Sequence, residues 1–305
     1  MNRPDYKALL AVIGMAVLFG ASFTGTKVAL ESFSPAQLIF LRFAATALLF
    51  MAVRLFRPAQ KVGRRDAAGI FLLALFEPGI YFYCEAQGVK RTLASTAAIL
   101  ISAIPMIVLV LEALWLKTKV RFTEFMLILL SLGGIFLIVT AGGMDKAFGG
   151  TLAGNVLVLL AALAASIYTI LAKKMLGRVE PVTVTFYQSL FASAIYFPFA
   201  AADTMNNGLN IDSARPLVAL AYLAAGCSFL AYWLLNYSLS KMKASFVSAF
   251  TNLIPVVGVA VAVIFLNERL YPMQFAGAAA VLGCMTILAL LQQSERSDRP
   301  LAPEG

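Results

Sequence analysis

The chain carries one pattern of five apolar spans twice, and the odd number of spans in each copy is what most restricts its fold. Ser34-Pro35 realigns with Glu180-Pro181, and Lys27 with Lys173, at an offset of 146. Ala94-Ser95, Pro105, Leu116, Phe125 and Gly133 realign with Ala244-Ser245, Pro255, Leu266, Phe275 and Gly283 at an offset of 150. The offset grows by four because the second copy has a longer loop between its second and third spans. Five crossings leave a chain on the side opposite to where it started. A second copy in the same membrane therefore sits upside down relative to the first. Inverted repeats of this kind mark transporters that open alternately to either side.

Composition supports a membrane location. Apolar residues make up 61% of the chain and charged residues 13%, and the mean hydropathy is +0.87, which no ordinary soluble domain reaches. A helix of about 20 apolar residues crosses the hydrocarbon core. Segments of that kind fall at 9–29, 36–56, 67–87, 94–116, 122–141, 152–176, 181–201, 215–239, 244–266 and 271–291. The predicted fold is an all-α membrane protein of ten transmembrane helices in two inverted five-helix repeats. The first repeat spans 1–146 and the second 147–291, with 292–305 as a disordered cytoplasmic tail. Loops of four to about thirteen residues place consecutive helices as antiparallel neighbours, and a polar loop is expected over 202–214.

The net charge of +9 is explained by topology. With a cytoplasmic N-terminus, seventeen Lys and Arg fall inside, six fall outside, and Arg42 lies within a span. This positive-inside bias puts both termini in the cytoplasm, in a cell (inner) membrane, and argues against a nucleic-acid partner. The first apolar stretch is too long for a signal-peptide core and reads as retained. Cys84, Cys227 and Cys284 all fall within spans without a CxxC spacing, so they read as packing residues. There is no histidine, which excludes His-based acid/base catalysis, His-dependent triads and His-ligated metals. The aspartates fall in loops or tails, so no intramembrane Asp pair is expected either. The chain reads as a non-enzyme with no cofactor and no metal.

The charged residues inside the spans are Arg42, Glu77, Glu85 and Glu112. Each costs about 2.5–3.5 kcal/mol at a helix centre, so each should face a cavity or a partner. A rise of about 1.5 Å per residue puts Arg42 about 9 Å below the outer surface, Glu85 about 3 Å and Glu77 about 15 Å. Arg42 can then pair with either acid. Glu77, Tyr81 and Glu85 share one helix face, and Pro78 with Gly79 predicts a kink beside Glu77. Glu112 lies near the inner end of its span, where it can snorkel toward Lys117, Lys119 or Arg121. Ser102 and Asn252 superpose in the repeat, each three residues before a proline, and Ser248, Thr251 and Asn252 form a polar stripe. Ser228, Tyr232 and Asn236 form another, with Trp233 beside it. Small residues at Gly133-Gly134, Gly277, Gly283 and the Ala161 to Ala165 run suit close helix packing.

Thr251-Asn252-Leu253-Ile254-Pro255 through Asn267-Glu268-Arg269-Leu270, followed by Gln274, Gly277 and Gly283, resembles the closing motif of EamA-type transporters of the drug/metabolite transporter superfamily. Residues 19–27 resemble that family's first-helix segment, and the likeness spans 9–291. Two positions depart from the pattern. Thr118, Lys119 and Val120 stand where the second copy has Glu268, Arg269 and Leu270, and Phe19 stands where the family usually has tryptophan. The resemblance implies a central cavity between the halves and export of amino acids or other small metabolites. The candidate substrate-binding residues are Arg42, Glu77, Tyr81, Glu85, Ser102, Tyr168, Tyr232, Trp233 and Asn252. In this reading the tyrosines and Trp233 offer stacking surface, Arg42 holds a carboxylate, and Glu77 or Glu85 carries a proton. The expected partners are a small-molecule substrate and the lipid bilayer, with a monomer or homodimer as the assembly, and both coupled proton exchange and uncoupled facilitation fit. The alternative is a flippase for a lipid or headgroup intermediate.

Overall fold

The computed structural model describes residues 6–55, 60–116, 122–140, 152–209, 211, 213–242, 247, 250 and 253–297. Among them every regular element is helical. The first half contains α1 (Tyr6–Ala29), α2 (Pro35–Leu55), α3 (Arg64–Ala74), a π segment (Leu75–Ile80), α4 (Tyr81–Arg91), α5 (Ala94–Ile101), α6 (Ile104–Leu116) and α7 (Phe122–Thr140). The second contains α8 (Leu152–Met175), α9 (Pro181–Asn207), α10 (Ala214–Ala221), a second π segment (Tyr222–Ala231), α11 (Tyr232–Lys241), α12 (Leu253–Leu266) and α13 (Pro272–Ser297). A helix bonds its backbone within its own segment, which hydrocarbon demands. Among the described residues six helical runs are long and apolar enough to cross a membrane: Tyr6–Ala29, Pro35–Leu55, Arg64–Arg91, Ala94–Leu111, Leu152–Met175 and Ala214–Lys241. Leu253–Leu266 and Pro272–Cys284 are shorter apolar helices.

Two helices outrun their apolar segments. α13 continues past Gln292 to Ser297, where only a disordered tail was expected. Its Gln-Gln-Ser-Glu-Arg sequence contains good helix formers. α9 continues to Asn207, into the expected 202–214 loop, so Asp203 is helical rather than part of a loop. This extension is held by α2: Ser34 Oγ donates to Asp203 (2.6 Å), and Gln37 Nε2 donates to Thr204 Oγ1 (3.1 Å) and Gly208 O (3.2 Å). The helix stops at Gly208, whose φ of 71° suits glycine and whose N–H bonds Thr204 O.

The packing repeats when the two halves are exchanged. α2 packs on α9 and α7 on α13, each pair being its own counterpart. α4 packs on α8 as α11 packs on α1, and α5 and α6 pack on α8 as α12 packs on α1. The same exchange holds for single hydrogen bonds. Lys27 Nζ donates to Val89 O (2.9 Å) and to Thr92 O, at the C-terminus of α4. Lys173 Nζ donates to Leu239 O (2.6 Å) and Met242 O (2.8 Å), at the C-terminus of α11. The lysines differ by 146 in number and their acceptors by 150, as the sequence repeat does. A cation on a helix C-terminus satisfies its last carbonyls and complements its dipole.

Close helix crossings sit at glycines other than most of those singled out in the sequence. A Cβ on Gly20 would lie 2.6 Å from Val257 Cβ, and one on Gly258 would lie 2.5 Å from Ala98 Cβ. Gly88 and Gly154 bring α4 and α8 together in the same way, with Gly154 O 2.9 Å from a Cβ on Gly88. Of the expected set, Gly134 meets Gly277 O at 2.8 Å, and the alanines Ala161, Ala162, Ala164 and Ala165 are buried. Gly133 and Gly283, however, have nothing within 4 Å. Motif glycines and contact glycines are partly different sets.

Overpacking a tight crossing costs about 1–3 kcal/mol. Gly20→Val and Gly258→Val should therefore each lower the thermal unfolding midpoint of the purified protein, while Gly283→Val leaves it near wild type. Lys27→Met and Lys173→Met should lower the same midpoint by similar amounts. Each removes charged hydrogen bonds worth about 1.5–3 kcal/mol apiece, and the two lysines occupy matched places.

Candidate functional site

The site is built on the break between α3 and α4. Glu77 has φ −144° and ψ 113°, an extended conformation inside an otherwise helical run. The proline that follows accounts for it, because Pro78 crowds the preceding residue out of the helical region. The break leaves backbone carbonyls without helical donors, and side chains of α9 supply them. Gln188 Nε2 donates to Glu77 O (2.9 Å), and Tyr196 Oη donates to Gly79 O (2.7 Å). Gln188 is held in turn. Asn236 Nδ2 donates to Thr185 Oγ1 (2.8 Å) and Gln188 Oε1 (3.4 Å), and Tyr168 Oη donates to Asn236 Oδ1 (2.7 Å). A buried polar chain thus runs from α8 through α11 and α9 to the backbone of Glu77.

Glu77 borders a small apolar cavity between the halves, about 50 Å³ in volume, whose walls include Phe19, Ser22, Tyr81, Phe82 and Thr169. The Glu77 side chain is itself buried. The Tyr232 hydroxyl faces the Glu77 carboxylate without completing a hydrogen bond. The aromatic rings form a continuous set. Phe19 lies edge-on to Tyr232 at 5.6 Å, Tyr81 edge-on to Phe82 at 4.8 Å, and Tyr168 edge-on to Tyr232 at 6.2 Å. Among its described lining residues the cavity has one carboxylate, aromatic faces and no cationic side chain. That combination suits an ammonium group.

Arg42 does not line this cavity. Its guanidinium lies over the Phe82 ring, 4.2 Å from the ring centre, and its Nε donates to Ser228 Oγ. Arg42 is 2% exposed, and its Nη2 has no hydrogen-bond partner. Both Glu77 and Glu85 feel its charge. Among the described residues, however, neither acid lies within ion-pairing distance of it; the surface pair Arg215–Glu31 is at 4.0 Å. The sequence expectation of a direct pairing with one acid gives way to a cation–π contact and a serine. Glu85 is buried and accepts a long hydrogen bond from Thr26 Oγ1 (3.5 Å).

The remaining candidates divide into those at the cavity and those behind it. Tyr81 is in the wall. Tyr168 and Tyr232 are fully buried and form the layer behind it. Ser102 is buried in the turn between α5 and α6 and donates to its own Ile99 O, while its neighbours Ile101 and Ile104 reach the cavity. Trp233 is partly buried beside Tyr232. Asn252, with Ser248 and Thr251, lies outside the described residues, as does the side chain of Glu112. Sequence reasoning missed Phe82, Thr169 and Tyr196 as parts of the site. It met Phe19 only as a departure from the family pattern.

Comparison with known proteins places this architecture. The model of the EamA-like transporter family matches the chain twice, over residues 6–140 and 152–290. An uncharacterized transporter of Bacillus subtilis, YcxC, is 29% identical over 287 residues, covering 90% of each chain. An uncharacterized transporter of Archaeoglobus fulgidus is 26% identical over 272 residues, covering 89% of this chain and 95% of its own. One solved crystal structure has the same fold, with a TM-score of 0.66 at 17% identity over 95% of this chain and 98% of that one. Matched along both halves, the chain belongs to the EamA-like transporter family and is a multi-pass membrane transporter.

Proposed function

We propose that this chain is a secondary transporter with ten transmembrane helices in two inverted five-helix repeats, 1–146 and 147–291, and with both termini on the cytoplasmic side of the inner membrane. It exports an amine-bearing small metabolite, an amino acid in the first instance, by alternating access through the central cavity. One observation carries this reading. Glu77, at the break between α3 and α4, borders an aromatic cavity as its carboxylate, with no cation within ion-pairing distance among the described residues. A proton and a substrate ammonium then compete for one group, which couples outward solute movement to inward proton movement.

Arg42 completes the recognition of an amino acid. It lies over the ring of Phe82, a wall of the cavity, with Nη2 unpaired, so a turn of that ring opens the guanidinium to the cavity and to the substrate carboxylate. The exchange of packing partners between the halves supports alternating access, because one rocking motion has a mirror version of matching contacts. At about 50 Å³ the cavity holds little more than an ammonium group, which fits a nearly occluded conformation.

Two measurements test this. In proteoliposomes, Glu77→Gln should abolish solute movement driven by a pH gradient while leaving the protein folded. If the gradient drives uptake as well as in wild type, coupling through Glu77 is wrong. In thermal-shift titrations, Arg42→Ala should weaken an amino-acid ligand about tenfold or more, the scale of a lost charged hydrogen bond. The decarboxylated amine of the same ligand should bind both proteins alike. Equal weakening of acid and amine would remove Arg42 from carboxylate recognition.

A further inference from the structure

A second, basic pocket lies away from the central cavity, between the start of α3 and the end of α8. It encloses about 200 Å³, and three cationic side chains, Arg65, Lys174 and Arg178, line it against one carboxylate, Asp66. None of the three donates a hydrogen bond or forms an ion pair among the described residues, so their charge is available to a ligand. The other walls are apolar and include Leu72 and Met175. Leu72 is 45% exposed on the helix surface next to Phe71, so the apolar wall continues outward along the side of the bundle.

Two further features prepare the pocket for an anion. α3 begins at its rim, and the N-cap Gly63 offers no side-chain bond to the first-turn amides. Uncapped amides at a helix N-terminus attract negative charge. The segments that flank the pocket, before α3 and after α8, are also tied together. Gln60 Nε2 donates to Arg178 O (3.2 Å), and Glu180 N donates to Gln60 Oε1 (2.8 Å). The strut fixes the backbone of Arg178 relative to the approach to α3, which keeps Arg178 beside Arg65 and Lys174 on the two helices.

We infer that this pocket binds the headgroup of an anionic phospholipid. Its phosphodiester sits among Arg65, Lys174 and Arg178, a glycerol-type hydroxyl donates to Asp66, and an acyl chain runs along the Leu72 and Met175 wall. A soluble anion would use the cations and leave the apolar wall empty. A zwitterionic lipid would use the wall but bring no net charge to a site of net charge +2 in its lining. Basic pockets between helices at the cytoplasmic interface are suited to such headgroups, and this pocket lies on the face that the positive-inside bias assigns to the cytoplasm. The site is independent of what the central cavity transports.

The test uses the full chain purified in a neutral detergent. Phosphatidylglycerol should raise the thermal midpoint and survive as a bound species in native mass spectrometry. Phosphatidylcholine, inorganic phosphate and glycerol phosphate should do neither. Arg178→Gln and Lys174→Gln, both at exposed positions, should each weaken the response, and the triple variant with Arg65→Gln should lose it. Lys90→Gln with Arg91→Gln, on the opposite face, should respond as wild type does. If inorganic phosphate stabilises as well as the lipid, the site is a soluble-anion site and the lipid assignment is overturned. A full lipid response in the single variants and in the triple variant overturns the site itself. Should the triple variant fail to fold, the mass-spectrometric lipid count on the two single variants decides.

Discussion

Inside a hydrocarbon layer every backbone N–H and C=O needs a partner from the protein, and this fold is arranged around the places where a helix cannot supply one. Among the described residues, several such places are closed by a side chain from another helix. The C-termini of α4 and α11 are closed by Lys27 and Lys173. The break at Glu77 is closed by Gln188 and Tyr196. In the second π segment, Ala224 O receives Thr46 Oγ1 (3.1 Å). An unsatisfied buried group costs about 1–3 kcal/mol, so these contacts determine which helices can be broken and where.

The repeat makes the arrangement legible as a pair of equivalent solutions with different chemistry. Arg42 on α2 and Gln188 on α9 differ by 146, and each donates to the broken helix of the opposite half. Arg42 reaches Ser228 in the second π segment, and Gln188 reaches Glu77 in the first. An amide against a carbonyl satisfies the backbone and leaves little over. A guanidinium against a serine hydroxyl leaves Nη2 unpaired and a full charge over Phe82. The two frames are equivalent, but the ionisable groups Arg42, Glu77 and Glu85 all belong to the first half, Glu77 at the first break and Arg42 against the second.

Helix content, the repeat and the kink at Pro78 were legible from the sequence because each depends on local chemistry: apolar length, recurring spacing, or a residue without an N–H. Glu77 and Tyr81 were legible as cavity residues for the same reason, being polar groups on one face beside a predictable break. The second π segment was not. Tyr222–Ala231 contains no proline, and the bonds it receives, from Thr46 to Ala224 O and from Arg42 to Ser228 Oγ, come from a helix far away in sequence. Arg42 shows the same limit. Depth along the membrane normal could be estimated from residue count, but the direction around the helix axis could not, and that direction sends its charge to Phe82 and Ser228 rather than to an acid. Phe19 and Phe82 look like any apolar residues until neighbouring helices show that their rings face an enclosed space. The close crossings at Gly20 and Gly258 escaped notice because open glycines at Gly133 and Gly283 look the same in sequence.

The coincidence of helix break and cavity carboxylate has a mechanical consequence. Glu77 is the residue whose extended backbone interrupts the α3 to α4 run, whose carbonyl is bonded to α9, and whose carboxylate borders the cavity. A change in what occupies the carboxylate therefore acts on the same residue that joins the two halves. The chain from Tyr168 through Asn236 to Gln188 links that residue to α8, α11 and α9, all of the second half. A regular helix would have kept the Glu77 carbonyl within its own hydrogen-bond ladder and offered no such link. The far end of α4 is held separately, by Lys27 of α1, so the two parts of the run on either side of Glu77 are anchored to different helices.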